Sequence, residues 1–177
     1  MKTVVALALI LFAASALCFA EAPKTPELPA APYANRGDII LHAGALYGWY
    51  GFGIGGGAEY IFAAWDTGKS VPLTFGAAAA ASFGYPGLDA DFGATATMHL
   101  GLNTFSSLPR FLRNFDFNWG LGFGACVGAY FGAGPLLTSS VAYFVSPSAA
   151  IEVTVNVPYY IGLGVGYTGM LGVMWKL

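Results

Sequence analysis

The stretch "FNWGLGFGACVGAYF", Phe117 to Phe131, allows few folds. Its odd positions carry Phe117, Trp119, Leu121, Phe123, Ala125, Val127, Ala129 and Phe131; its even positions carry Asn118, Gly120, Gly122, Gly124, Cys126, Gly128 and Tyr130. A helix would scatter those glycines around its circumference and lose roughly 0.5–1 kcal/mol at each. A strand sends all of them to one face and the large apolar residues to the other.

The same alternation recurs along the chain. Ile39, Leu41, Tyr47 and Trp49 alternate with Ile40, His42, Gly48 and Tyr50; Phe92, Ala94, Met98 and Leu100 alternate with Gly93, Thr95, Thr97 and His99. Later, Ile151, Val153 and Val155 alternate with Glu152, Thr154 and Asn156, and Leu171, Val173 and Trp175 with Gly172 and Lys176. The segments "YGFG", "WDTGKS", "YPGLDA", "GAGP", "SPS" and "VPYY" read as turns, and 104–116 as one longer connection. Eight strands result, near 39–50, 53–65, 71–84, 91–103, 117–131, 136–145, 149–157 and 161–177.

The glycine run "GFGIGG", Gly51 to Gly56, matches a G-x-G-x-x-G dinucleotide fingerprint in spacing only. Alternation continues through "GGAEYIFAAW" where a helix should open. Position 76, about where the ribose-binding acid belongs, is glycine.

Composition supplies the solvent. With 56% hydrophobic residues, 9% charged residues and a mean hydropathy of +0.64, the chain has too little charge for an ordinary water-facing surface. Strands in hydrocarbon cannot leave an open edge, so they must close. The fold class expected is all-β, an eight-stranded antiparallel up-and-down transmembrane β-barrel. A soluble lipocalin-like barrel, with its greasy face inside, is the alternative. Tyr47, Trp65, Tyr85, Trp119, Tyr143, Tyr159 and Trp175 fall near run ends, where aromatic girdles sit.

Lys2 before the apolar Val4–Ala14 run, with Ala20 before Glu21, reads as a cleaved secretory signal peptide over 1–20. Residues 21–37 read as a Pro-rich periplasmic arm or tether, and 38–177 as the barrel. Cys126 alone remains in the mature chain, so no internal disulfide is expected. The near-neutral charge argues against nucleic acid as a partner.

Signal peptide, alternating runs and a chain-terminal strand together resemble the small eight-stranded outer-membrane barrels, the OmpA membrane-domain, OmpX and OmpW families. The ending "GVMWKL" is similar to their assembly signal, with Gly172, Trp175 and an apolar last residue, Leu177, in place of an aromatic. The resemblance implies an outer-membrane location, with lipid and, through that strand, the assembly machinery as partners.

On the inner face the polar candidates are His42, Glu59, His99, Glu152, Thr95, Thr97 and Asn156. A turn centred between Tyr50 and Gly51 would set His42 opposite Glu59. That pair either fixes register or lines a narrow path. No mature lysine or arginine is expected inside, so the carboxylates require water, a proton or a histidine. The connection "TFSSLPRFLRNFD" suggests a short interfacial helix capped by Ser107, carrying Arg110, Phe111 and Arg113. The outer turns are expected to carry only Asp89 and Asp91, no lysine or arginine. The resulting expectation is a narrow passive conduit for small solutes or small apolar molecules, as the OmpW resemblance implies. The alternatives are a structural or interaction protein and, less favoured, a hydrolase using Ser82, Ser140 or Thr97. Neither enzyme activity, metal nor cofactor is expected.

Overall fold

The computed structural model describes residues 33–49, 51–65, 73–86 and 89–177. The expected signal peptide, most of the expected arm, and positions 50, 66–72 and 87–88 lie outside them. The chain forms β1 (Ile39–Gly48), β2 (Gly51–Trp65), β3 (Leu73–Pro86), β4 (Ala90–Gly101), β5 (Phe115–Val127), β6 (Phe131–Ser146), β7 (Ala149–Tyr160) and β8 (Thr168–Lys176). Each strand pairs antiparallel with the next, and β8 returns to β1 from Ile40↔Lys176 to Gly48↔Thr168. The sheet is thus a closed eight-stranded barrel, with no free edge. Gly164–Val165 adds a two-residue bridge to the end of β7.

Side-chain parity follows the sequence pattern on every strand. The greasy parity points outward: Ile54 is 68% exposed, and Leu121 and Leu171 are each 63% exposed. Such a surface is untenable in water and suited to acyl chains. The lipocalin-like alternative is therefore wrong, because its greasy side would face the core. Midway along the lumen the inward residues are mostly small or polar, with larger apolar ones such as Ile40, Phe144, Leu46 and Leu136 toward either end, and glycine is needed where strand backbones and facing side chains crowd. A Cβ at Gly120 would collide with the Thr138 hydroxyl and lie 3.2 Å from the Thr95 side chain.

Several turns move. The β1–β2 hairpin pairs Gly48 with Gly51 and reverses between them, and Gly51 takes a φ of +101°, the left-handed region glycine permits. His42 therefore faces Gly57, and Glu59 faces Ile40. The displacement is even, so His42 and Glu59 keep the same face. "GAGP" and "VPYY" are not turns but lie within β6 and β7. The ladder between β6 and β7 ends at Leu136↔Pro158. Residues 131–135 are laddered to β5, so Pro135 costs no ladder bond toward β7. The chain turns instead at 128–130 and 161–163.

Both ends of the barrel chain, Ile39 and Lys176, lie at one end, here termed proximal. There the end of the arm folds inward. Tyr33 and Ala34, 1% and 2% exposed, pack with Ile40, Ile61, Phe144 and Met174. The Tyr33 ring stacks on Phe144 at a centroid distance of 3.7 Å and an interplanar angle of 2°. Lys176 Nζ donates to the Tyr33 carbonyl at 2.9 Å and approaches Asp38 at 3.4 Å. Burial, then the Asp116 carboxylate, push the Tyr33 phenol up to about 12, so it stays neutral. At least from Tyr33 onward the arm is not a solvated tether.

Between β4 and β5 lie a 3-10 turn, Leu102–Thr104, and a single helical turn α1, Arg110–Arg113. Pro109, not Ser107, precedes the helix, and no side chain caps it. Phe111 is 62% exposed beside Arg110, which agrees with an interfacial position but over one turn only.

Opposite outcomes are expected at adjacent positions of β5. Gly120→Leu should abolish the compact, heat-modifiable form on gels, because the lumen has no room for it. Leu121→Ala should retain that form and lose only about 1–3 kcal/mol in urea unfolding, since lipid fills the outer face.

Candidate functional site

The even-parity residue of β1, His42, and the odd-parity Glu59 of β2 meet on the inner wall because the hairpin keeps both on one face. His42 Nδ1 lies 2.7 Å from Glu152 Oε2 on β7, and its Nε2 lies 3.6 Å from Glu59 Oε2. Glu59 Oε1 is 2.9 Å from His99 Nε2 and also accepts from the Thr97 hydroxyl. His99 Nδ1 is 2.9 Å from Asp116 Oδ1. Thr154 donates to Glu152 Oε1. The result is an alternating carboxylate–imidazole chain, Glu152–His42–Glu59–His99–Asp116, that crosses the lumen and joins four expected residues to one missed.

Burial of this chain is nearly complete. Glu59 is 1% exposed, and His99, Asp116 and Glu152 are each 2% exposed. Each nitrogen of His99 faces a carboxylate oxygen, so a proton must lie on both lines whichever atom holds it. Charges buried this way persist only with such partners. Room for the chain depends on Gly76, where a Cβ would fall 2.5 Å from Glu59 Oε1 and 2.6 Å from Thr97 Oγ1. No group of three or more metal-ligating side chains is arranged to hold an ion among the described residues.

Distal to the chain is a luminal chamber of about 130 Å³. His42, Glu59, Glu152, Thr97 and Asn118 form its floor, and Thr95 and Asn156 its walls. All seven expected luminal residues are therefore on the inner face. Farther out the lining is largely apolar, with Leu46, Leu136, Pro158 and Met170. Tyr160 Oη donates to Asp91 Oδ1 at 3.0 Å across the distal part. Asp91 is thus a luminal residue of β4, not part of an outer turn. Asp89 is the turn residue, and its Oδ1 accepts from the Ala129 amide at 2.7 Å.

Asp116 was legible in principle. It continues the even parity of Asn118 and Gly120, but assigning 104–116 to a connection starts β5 at 117, two residues after its first residue, Phe115. Ser82 and Ser140 also line the chamber, whereas the histidine nitrogens face carboxylates.

Removing the middle of the chain should be expensive. His99→Leu leaves buried oxygens of Glu59 and Asp116 without their partner, and about 3–5 kcal/mol of stability should be lost. Thr95→Val, at the chamber wall, removes one neutral hydroxyl and should cost only about 0.5–1.5 kcal/mol, the net worth of a typical hydrogen bond. Urea titrations of the folded barrel in detergent measure both.

Solved structures share this architecture, although no protein-family profile and no curated protein sequence matches the chain. A de novo designed transmembrane β-barrel superposes with a TM-score of 0.57 at 13% identity, covering 81% of this chain and 98% of that one. The N-terminal β-barrel domain of Pseudomonas aeruginosa OprF gives 0.53 at 12% identity, over 81% and 100%. The Yersinia pestis attachment invasion locus protein Ail, in complex with the heparin analogue sucrose octasulfate, gives 0.51 at 13%, over 81% and 100%. Identities this low speak to fold alone. The chain is a small eight-stranded transmembrane β-barrel, with the architecture found in bacterial outer-membrane barrels.

Proposed function

We propose that the protein is an integral outer-membrane barrel that does not conduct solutes in its resting form, acting as a structural or interaction protein of that membrane. One observation carries this reading. Tyr33, 1% exposed, stacks on Phe144 inside the proximal mouth, with Ile40, Ile61 and Met174 around the pair. A packed apolar plug excludes the water that a polar solute needs. Backbone bonds hold the plug in place: Gly37 N donates to Ile61 O at 2.8 Å, and Ile61 N to Asp38 O at 3.0 Å.

The conduit expectation has its own support in the chamber above the plug. Conduction requires the arm to withdraw from the mouth. Hydrolysis is the least supported reading, since the Thr97 hydroxyl is engaged by Glu59 and the ring nitrogens of His42 and His99 face carboxylates rather than a serine hydroxyl.

The full chain reconstituted in planar bilayers should give no conductance steps above background. Tyr33→Ala combined with Phe144→Ala should raise ion leak above the native level while retaining the heat-modifiable fold. Steady conductance by the unaltered protein would replace this reading with the conduit.

A further inference from the structure

The luminal chamber has an excess of acceptors that its own side chains do not match. Glu59 sends Oε1 into the imidazole chain, but Oε2 is buried without a hydrogen-bond partner, the His42 nitrogen standing off at 3.6 Å. Asn118 Oδ1 is likewise buried and without a partner. Both residues line the chamber floor. Among the described residues the chamber is lined by three carboxylates, Glu59, Glu152 and Asp91, against the one imidazole of His42, and by no lysine or arginine. A ligand that settles here must bring several N–H donors and positive charge. An anion is excluded by the same count.

We propose that the chamber is a binding site for a small organic cation, a primary ammonium on a short apolar body, with Glu59 Oε2 as its principal acceptor. The ammonium supplies three donors and no acceptor, which suits Glu59 Oε2 and Asn118 Oδ1 on the floor. Hydrogen bonds between such ionised partners are about twice as strong as neutral ones. The apolar body lies against Leu46, Leu136 and Met170, which line the distal part. Size sets the class: the chamber's 130 Å³ is close to the roughly 150 Å³ cavity that accepts benzene. Butyl to benzyl amines fit, and polyamines or peptides do not. Asp91, hydrogen-bonded to Tyr160 at the distal part, provides a negative approach from that end. The site does not depend on whether the barrel conducts.

The test uses n-butylammonium, with n-butanol and butyrate as size-matched probes, titrated calorimetrically into the folded full-length barrel in detergent micelles at neutral pH. Butylammonium should bind saturably and at least about tenfold more tightly than butanol, with butyrate silent, as expected when a charge-assisted bond to a buried group is at stake. Glu59→Gln should erase that preference. Ala80→Leu, which fills the chamber wall without altering any charge, should abolish binding and serves as the deciding variant if Glu59→Gln does not fold. Equal binding of butanol, no saturable binding of the amine, or binding that survives Ala80→Leu would overturn the proposal and leave water as the partner of Glu59 Oε2.

Discussion

An unpaired backbone amide in hydrocarbon costs several kcal/mol, and the ladder between β1 and β8 is the answer to that constraint. It runs the length of β1, from Ile40↔Lys176 to Gly48↔Thr168, so neither terminal strand presents an edge to lipid. Closure at eight strands leaves an interior narrow enough for side chains to fill. That narrowness then dictates what the inner parity can be. At Gly120 and Gly76 a single Cβ already meets hydroxyl or carboxylate oxygens from neighbouring strands.

Lipid also decides where polarity goes. With apolar side chains required on the outside, the carboxylates and imidazoles of the spanning strands, Glu59, Glu152, Asp91, Asp116, His42 and His99, are turned into the lumen, away from bulk water. Buried charge there survives only in networks. The alternating carboxylates and imidazoles satisfy this along one line from Glu152 to Asp116, hydrogen-bonded at every link except the 3.6 Å ion pair of His42 with Glu59. Threonines at 97 and 154 supply further donors to Glu59 and Glu152. The pairing links β1, β2, β4, β5 and β7, so the network also ties strands that are not neighbours in the sheet.

Face assignment was readable from sequence because parity is insensitive to small errors. The β1–β2 turn lies one residue earlier than glycine spacing suggested, yet His42 and Glu59 stay together because the resulting register change is even. Turn positions were less readable. Proline in "GAGP" and "VPYY" signals a break only if the strand needs its missing donor, and 131–135 extends past the ladder with β7. Asp116 was expected at the end of the 104–116 connection, and Asp91 in an outer turn at the start of the 91–103 strand. Their parity was the better guide. The inward fold of Tyr33 has no periodic signal at all, since a short apolar run in a Pro-rich arm reads the same whether it is solvated or packed.

The lumen therefore solves one problem in two ways along its length. Toward the chain termini it is dry and packed, with Tyr33, Phe144, Ile40 and Ile61 filling the space. Toward the far end it is open enough to hold a small guest. Glu59 stands on the border, and its two oxygens have different surroundings for that reason. Oε1 belongs to the packed network with Thr97 and His99, while Oε2 is buried beside the chamber, 3.6 Å from His42 Nε2, and lacks a hydrogen bond from the protein. A carboxylate with one oxygen committed to structure and the other left to whatever occupies the chamber couples the two halves.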